Sequence, residues 1–227
     1  MLGQVLVTGG ASGLGAAVVH AVHELGGTPL VLDKAAPSSS EVADFESVDL
    51  SDTRAAERAV RAIAERNGGL RAVVTAAGTD ACGKLEDVPA SDWERVVMVN
   101  LLGTAAVVRA ALPLLGDGGR VVTIASTLGI KAVGDATAYC ASKFGVVGFT
   151  RALAAETAGR VGVTLVIPGG MRTRFFDDRE EQYRPPDDSK LNPPERVADA
   201  IVFALRQPEG CVVRELVVAH AEEGSWP

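Results

Sequence analysis

Tyr139 and Lys143 stand four residues apart in "TAYCASK", a spacing that on a helix stacks a phenol and an ammonium on one side. A tyrosine with its ordinary pKa of about 10 accepts a proton near neutrality only where positive charge stabilises the phenolate. Lysine one turn further on supplies that charge. Ser126 closes the apolar run "GRVVTIAS" and offers a hydroxyl to a reacting oxygen, and Asn100 in "VMVNLLG" adds a helix amide. Each residue also has a plain structural reading: a chance pair on a solvated face, a serine in a strand-end turn, an asparagine bonding nearby backbone. Their weight comes from what accompanies them.

The first apolar run, "QVLVT", leads directly into "TGGASGLG", residues 8–15, and then into a helical pattern. Gly9, Gly13 and Gly15 let backbone turn sharply and approach a diphosphate, while the helix start that follows offers free N–H groups. Asp33 lies 18 residues beyond Gly15, at the end of the second run, where a carboxylate binds ribose hydroxyls in dinucleotide sites. That carboxylate opposes a 2′-phosphate by like charge, so NAD is expected over NADP, with Lys34 alongside as the counterargument. A tight strand-to-helix turn without ligand is the structural alternative.

These residues need a sheet to position them. Strands are predicted at 4–8, 28–33, 45–50, 70–77, 119–126, 161–168 and 214–219, with helical periodicity between most of them, as in "SDTRAAERAVRAIAER" and in a helix over about 136–158. Strand and helix in alternation imply a parallel sheet with right-handed crossovers. The expected fold is α/β: a single Rossmann-like three-layer domain over 1–227, with a seven-stranded parallel sheet and helices on both faces. Between the second and third strands "KAAPSSSEVAD" is too short for a crossover helix. Ser91 with Glu94 reads as a capping box, and Asn192 before Pro193 and Pro194 as a helix cap.

In this arrangement the chain resembles the short-chain dehydrogenase/reductase family, which joins a TGxxxGxG loop to a Ser, a YxxxK pair and a helix Asn on one sheet. Thr8, Gly9, Gly13 and Gly15 match the loop, with Ser12 and Leu14 inside it; Asn100, Ser126, Tyr139 and Lys143 match the catalytic set. Asp49 and Leu50 match the pair that contacts adenine, Ala77 and Gly78 the turn after the fourth strand, and Pro168, Gly169 and Thr173 the "PGGMRT" motif. The resemblance implies hydride transfer between NAD(H) and a secondary alcohol or ketone, with Tyr139 as general acid/base and Lys143 also holding the cofactor ribose. It further implies an Asn100-held water as proton exit, a substrate lid over 173–195, and a homodimer or homotetramer built on the 136–158 helix. One departure stands out: Thr75 and Ala76 replace two asparagines of the usual NNAG turn.

Composition narrows the function further. The 227 residues carry a net charge of −7 and only 4% aromatics, which gives no electrostatic reason to expect nucleic acid or an anionic membrane as partner. Cys82, Cys140 and Cys211 form no CxxC pair and no metal spacing, so neither disulfides nor a metal is expected, and the cytoplasm is the expected compartment. Neither signal peptide nor membrane span is expected. Phe175, Phe176 and Tyr183, among many charges, read either as a lid or as a polar surface loop. Arg172, Arg174 and Arg179 read either as carboxylate anchors or as balance for local acids. The tail "HAEEGSWP" is open between packing near a neighbour's site and fraying. A non-catalytic, redox-sensing dinucleotide-binding protein is the alternative function, although a sensor has no need of a tuned phenol.

Overall fold

Apolar runs with β-branched residues form seven parallel strands: β1 (Gln4–Thr8), β2 (Thr28–Asp33), β3 (Asp44–Ser47), β4 (Leu70–Thr75), β5 (Leu115–Ile124), β6 (Val161–Pro168) and β7 (Glu215–Val218). They make one sheet in the order β3-β2-β1-β4-β5-β6-β7. The computed structural model describes residues 2–226. Among the described residues six α-helices alternate with the strands: α1 (Gly13–Glu24), α2 (Thr53–Arg66), α3 (Ala90–Val97), α4 (Thr104–Ala111), α5 (Thr137–Glu156) and α6 (Pro194–Leu205).

Alternation along each strand divides the core in two. Val5 and Val7 of β1 pack with Val18 and Val22 of α1 and Ile201 of α6. Leu6, between them, packs on the other face with Ile63 of α2 and Val107 of α4. Both faces are covered, so β1 is apolar throughout rather than alternating. Leu6 is fully buried, and truncation to Ala would cost about 2–5 kcal/mol.

The chain starts in the middle of the sheet, moves outward through β2 and β3, then returns to the other side of β1 as β4. That reversal opens a crevice at the carboxyl ends of β1 and β4, the usual ligand position in such sheets. Strand boundaries follow from partners. β3 stops at Ser47, short of the predicted residue 50, because its only neighbour, β2, ends at Asp33 opposite it. β4 likewise ends at Thr75, level with Thr8 and Thr123, which frees 76–78 to turn along the crevice. The segment between β2 and β3 carries no helix, as its length implies.

Two predicted caps are corrected. α3 begins at Ala90 with Pro89 as its N-cap, so Ser91 lies inside the first turn and makes no capping bond. The fixed φ of proline starts the helix a turn position early. α6 takes Pro193, not Asn192, as N-cap; the Asn192 backbone bridges to Met171 and its Nδ2 donates to the Val218 carbonyl at 3.3 Å.

A π-helical turn, Met98–Gly103, joins α3 to α4 without a break. The resulting run, Ala90–Leu114, is by length and composition apolar enough to cross a membrane. Its apolarity is accounted for by packing, since Val107, Ala110 and Ala111 lie in the core under the sheet with α2.

Candidate active site

At the phosphate end the site is made of backbone. Ser12 precedes α1 in extended conformation and makes no side-chain cap, and the first turn holds no acidic residue. The leading N–H groups and the positive end of the helix dipole are thus left for an anion. Glycine is required at two places. Gly9 has φ 72°, and a Cβ there would stand 2.8 Å from the Cα of Ala77. A Cβ on Gly15 would collide with the Gly9 carbonyl oxygen. Thr8 sits behind this wall, buried, its Oγ1 accepting the Ala77 N–H at 3.1 Å.

The rim beside it is acidic. Asp33 accepts the Ala11 N–H on Oδ2 at 3.0 Å and the Ala35 N–H on Oδ1 at 3.1 Å, so its carboxylate is fixed at the tip of β2. Lys34 turns away to Asp49, Nζ to Oδ2 3.4 Å. Asp49 also accepts from Arg95 at 2.9 Å and from the Ser51 N–H and hydroxyl. Burial works against the Asp49 charge, but the Ser51 and Arg95 hydrogen bonds hold its carboxyl well below the usual range.

The chemical end is made of buried side chains. Ser126 follows β5, and its Oγ accepts the Leu128 N–H at 3.1 Å. Tyr139 and Lys143 occupy the opening turns of α5. Lys143 Nζ donates to the Ile124 carbonyl at 2.9 Å and lies 5.5 Å from the centre of the Tyr139 ring. The lysine is 4% exposed, and burial pulls its pKa down to about 8. Burial pushes the Tyr139 phenol up, with the charge of Asp80 adding to the rise; Ser126 and Arg179 pull back. The free chain therefore holds the phenol protonated, whereas spacing alone suggested a phenolate stabilised by Lys143.

Asn100 lies in the π-helical turn, buried behind the site. Its Oδ1 accepts the Thr79 N–H at 2.8 Å, and its Nδ2 donates to the Thr79 carbonyl and the Ser142 hydroxyl. It thus ties the turn after β4 to α5, with both amide hydrogens and one lone pair of Oδ1 given to protein groups.

A cleft of about 740 Å³ joins the two ends, a volume suited to a small organic ligand. Of the residues singled out from sequence, Thr8 and Asn100 stand behind its wall. Lining it are Gly9, Ser12, Gly13, Leu14 and Gly15 of the loop, Asp33, Asp49 and Leu50 of the rim, and Ala77 and Gly78 of the turn. Ser126, Tyr139, Lys143, Pro168, Gly169 and Thr173 complete that set. Open helix amides for a diphosphate and a fixed carboxylate for ribose hydroxyls fit a dinucleotide.

Sequence reasoning missed Asp80, and it offered the tail only a neighbour's site or fraying. The segment after Thr173 forms three short 3-10 turns and sets Phe175 against Tyr139, ring centroids 5.7 Å apart. The tail folds onto its own chain: Glu223 accepts the Gly170 N–H at 2.8 Å, and Ser225 shares a 2.6 Å hydroxyl pair with Thr127. Neither contact has a local sequence signal.

Doubly wound parallel sheets with a glycine-lined helix start at the switch point make up the Rossmann-like class, and this molecule is one of them. Within that class the chain belongs to the short chain dehydrogenase family, whose profile matches residues 4–184. An uncharacterized oxidoreductase of Staphylococcus aureus strain MW2 is 30% identical over 224 residues, covering 94% of this chain and 95% of that protein. A short chain dehydrogenase of Burkholderia cenocepacia J2315, solved in complex with NADP, superposes with a TM-score of 0.85 at 25% identity, covering 97% of each chain. The ligand-free aldohexose dehydrogenase of Thermoplasma acidophilum gives a TM-score of 0.86 at 23% identity, over 95% of this chain and 91% of that one.

Proposed function

We propose that this chain is an NAD-linked oxidoreductase interconverting a secondary alcohol and a ketone, with Tyr139 as the general acid/base. The observation that carries this reading is the meeting of Ser126, Tyr139 and Lys143 on the same cleft that the glycine loop and Asp33 line. Bound nicotinamide would supply the hydride acceptor or donor and, when oxidised, a positive charge beside the phenol. The chain does the rest. Ser126 holds the substrate oxygen, and the protonated phenol of Tyr139 donates to it as a ketone is reduced, or takes the proton back in oxidation. Lys143, largely protonated below about pH 8, favours the phenolate whenever Tyr139 has given up its proton.

NAD is favoured over NADP because the Asp33 carboxylate is pinned by two backbone amides where a 2′-phosphate would sit. Lys34, the residue that would neutralise such a phosphate, is engaged with Asp49. The similar Burkholderia chain was solved with NADP, and the Asp33 carboxylate is what the NAD reading of this chain rests on. We take the protein to be cytoplasmic and a homodimer or homotetramer; Phe144 on α5, 45% exposed, supports an interface on that helix, and light scattering in solution measures the state.

The test is NADH absorbance with a panel of ketones and alcohols. Tyr139→Phe is expected to lose about 10²- to 10⁴-fold in turnover while its affinity for NADH persists. An equally active variant would remove Tyr139 from the mechanism.

A further inference from the structure

The segment that crosses the chemical end is fastened beside Tyr139 by Arg179, with Tyr183 Oη donating to Asp135 Oδ2 at 3.4 Å further along. Arg179 Nη2 pairs with Asp80 Oδ2, across 99 residues of sequence. Its Nη1 donates to the Tyr183 carbonyl at 3.3 Å. The guanidinium lies over the rings of Phe175 and Phe176, 5.0 and 4.6 Å from their centroids, and Phe175 in turn packs on Tyr139. The pair is largely removed from water: the Asp80 side chain is 7% exposed and that of Arg179 is 18%. Arg179 Nε is buried with no partner at all. A guanidinium so desolvated requires a compensating anion, and Asp80 is built for that role. Its Oδ1 takes the Ala81 N–H at 2.7 Å, and its Oδ2 takes the Cys82 thiol at 3.3 Å besides Arg179.

Most of the charge along the cleft is committed elsewhere. Among the described residues six cations line it: Lys34, Arg95, Lys143, Arg174, Arg179 and Lys190. Lys34 and Arg95 both meet Asp49 at the rim, and Lys190 meets Glu222. Arg174, which follows Thr173 beside Gly13, makes no ion pair among the described residues. Lys143 is bound to the Ile124 carbonyl under Tyr139. The cation set over the rings that pack on Tyr139 is Arg179, already neutralised and backed by the negative charge of Asp80. The remaining surface there is apolar, with Phe175, Phe176, Leu128 and Met171 in the wall.

We infer that Asp80 is a specificity-determining residue: by occupying Arg179 it excludes carboxylate substrates and reserves the chamber for an uncharged carbonyl compound with an aromatic or similar apolar body. The inference rests on the oxidoreductase reading above. In the reaction the carbonyl carbon takes a hydride from NADH and the oxygen a proton from Tyr139, leaving oxidised NAD, the alcohol and a Tyr139 phenolate that regains its proton from solvent.

A matched pair of ketones isolates the charge: methyl phenylglyoxylate and phenylglyoxylate share ring and carbonyl and differ in a neutral ester against a carboxylate. The full-length wild type is expected to favour the ester. In Asp80→Asn the acid-to-ester ratio of kcat/KM should rise at least about tenfold, as the freed guanidinium takes the carboxylate. The double variant Asp80→Asn/Arg179→Met should return the ratio to the wild-type value. An unchanged ratio in a folded Asp80→Asn protein, or a wild type that already prefers the acid, overturns the inference. Should Asp80→Asn fail to fold, the double variant, which removes both charges, decides: an unaltered ratio supports the latch, and a selective loss of acid turnover makes Arg179 a substrate anchor and refutes it. If the wild type reduces neither compound nor any of the panel, the functional reading fails, yet the latch is still read by calorimetry. Benzoate should bind Asp80→Asn at least about tenfold more tightly than wild type; equal affinities would refute the exclusion.

Discussion

α1 and α2 both begin at the carboxyl edge of the sheet, and they begin in opposite ways. α2 is closed by its own sequence: Asp52 accepts from the Arg54 and Ala55 N–H groups at 3.0 and 2.9 Å. α1 has Ser12 in the equivalent place with no capping bond. Buried charges divide along the same line. Glu57 on α2 is surrounded by Arg54, Arg61 and Arg109; burial opposes its charge, but Arg109 and Arg54 draw its pKa down. Lys143 has a carbonyl and an aromatic face and no carboxylate within ion-pair distance among the described residues. Asp52 and Glu57 are thus matched within the fold, whereas the first amides of α1 and the charge of Lys143 are left without an anion.

The contrast is broken most strongly by making α1 resemble α2. Ser12→Asp would cap the helix and place a carboxylate against the incoming diphosphate, where like charges about 4 Å apart cost ~4 kcal/mol at an effective dielectric of 20. Calorimetry with NADH should show roughly 10²- to 10³-fold weaker binding, together with a small rise in the melting temperature of the free protein. Unchanged affinity would mean that the diphosphate lies elsewhere.

Lys143 gives the next effect. The folded free chain releases its proton near pH 8 while the unfolded chain keeps it to the ordinary 10.5, so the unfolded state binds more protons between those values. Stability of the free protein should therefore rise with pH across that window, by roughly 3 kcal/mol relative to Lys143→Met. Urea titrations at pH 7.5 and 10 compare the two, and parallel behaviour would show the lysine to be solvated. A smaller change is expected at the rim: Asp33→Ala should cut the preference for NAD over NADP by about tenfold, measured as a ratio of kcat/KM values. Smallest is Asp52→Ala, about 1 kcal/mol of stability by denaturant melt, with NADH affinity unaltered.

The sheet, its crossovers and the glycine loop were legible because each is written in a contiguous stretch: "QVLVTGGASGLG" holds strand, turn and helix start in order. Ser126, Tyr139 and Lys143 were found because strand ends and helix turns fix where neighbours in sequence point. What escaped depends on distant partners. Ser225 meets Thr127 across 98 residues, and Asp80 meets Arg179 across 99; nothing in "GTDACG" announces an ion pair. Ser91 and Asn192 misled for a related reason. Each has the right residue type for a cap, but a proline at 89 and a backbone bridge at Met171 had already settled those positions.

The wide turn at Met98–Gly103 has an evolutionary and practical consequence. Such turns amount to one surplus residue in an otherwise regular coil, so excising a single position there would let the helix rewind. The flanking helices would keep their faces, because the widened turn alone absorbs the change, but Asn100 would lose the displaced position from which it holds Thr79 and Ser142. One missing codon, with no change to any reacting group, would be enough to dismantle the support beneath the chemistry.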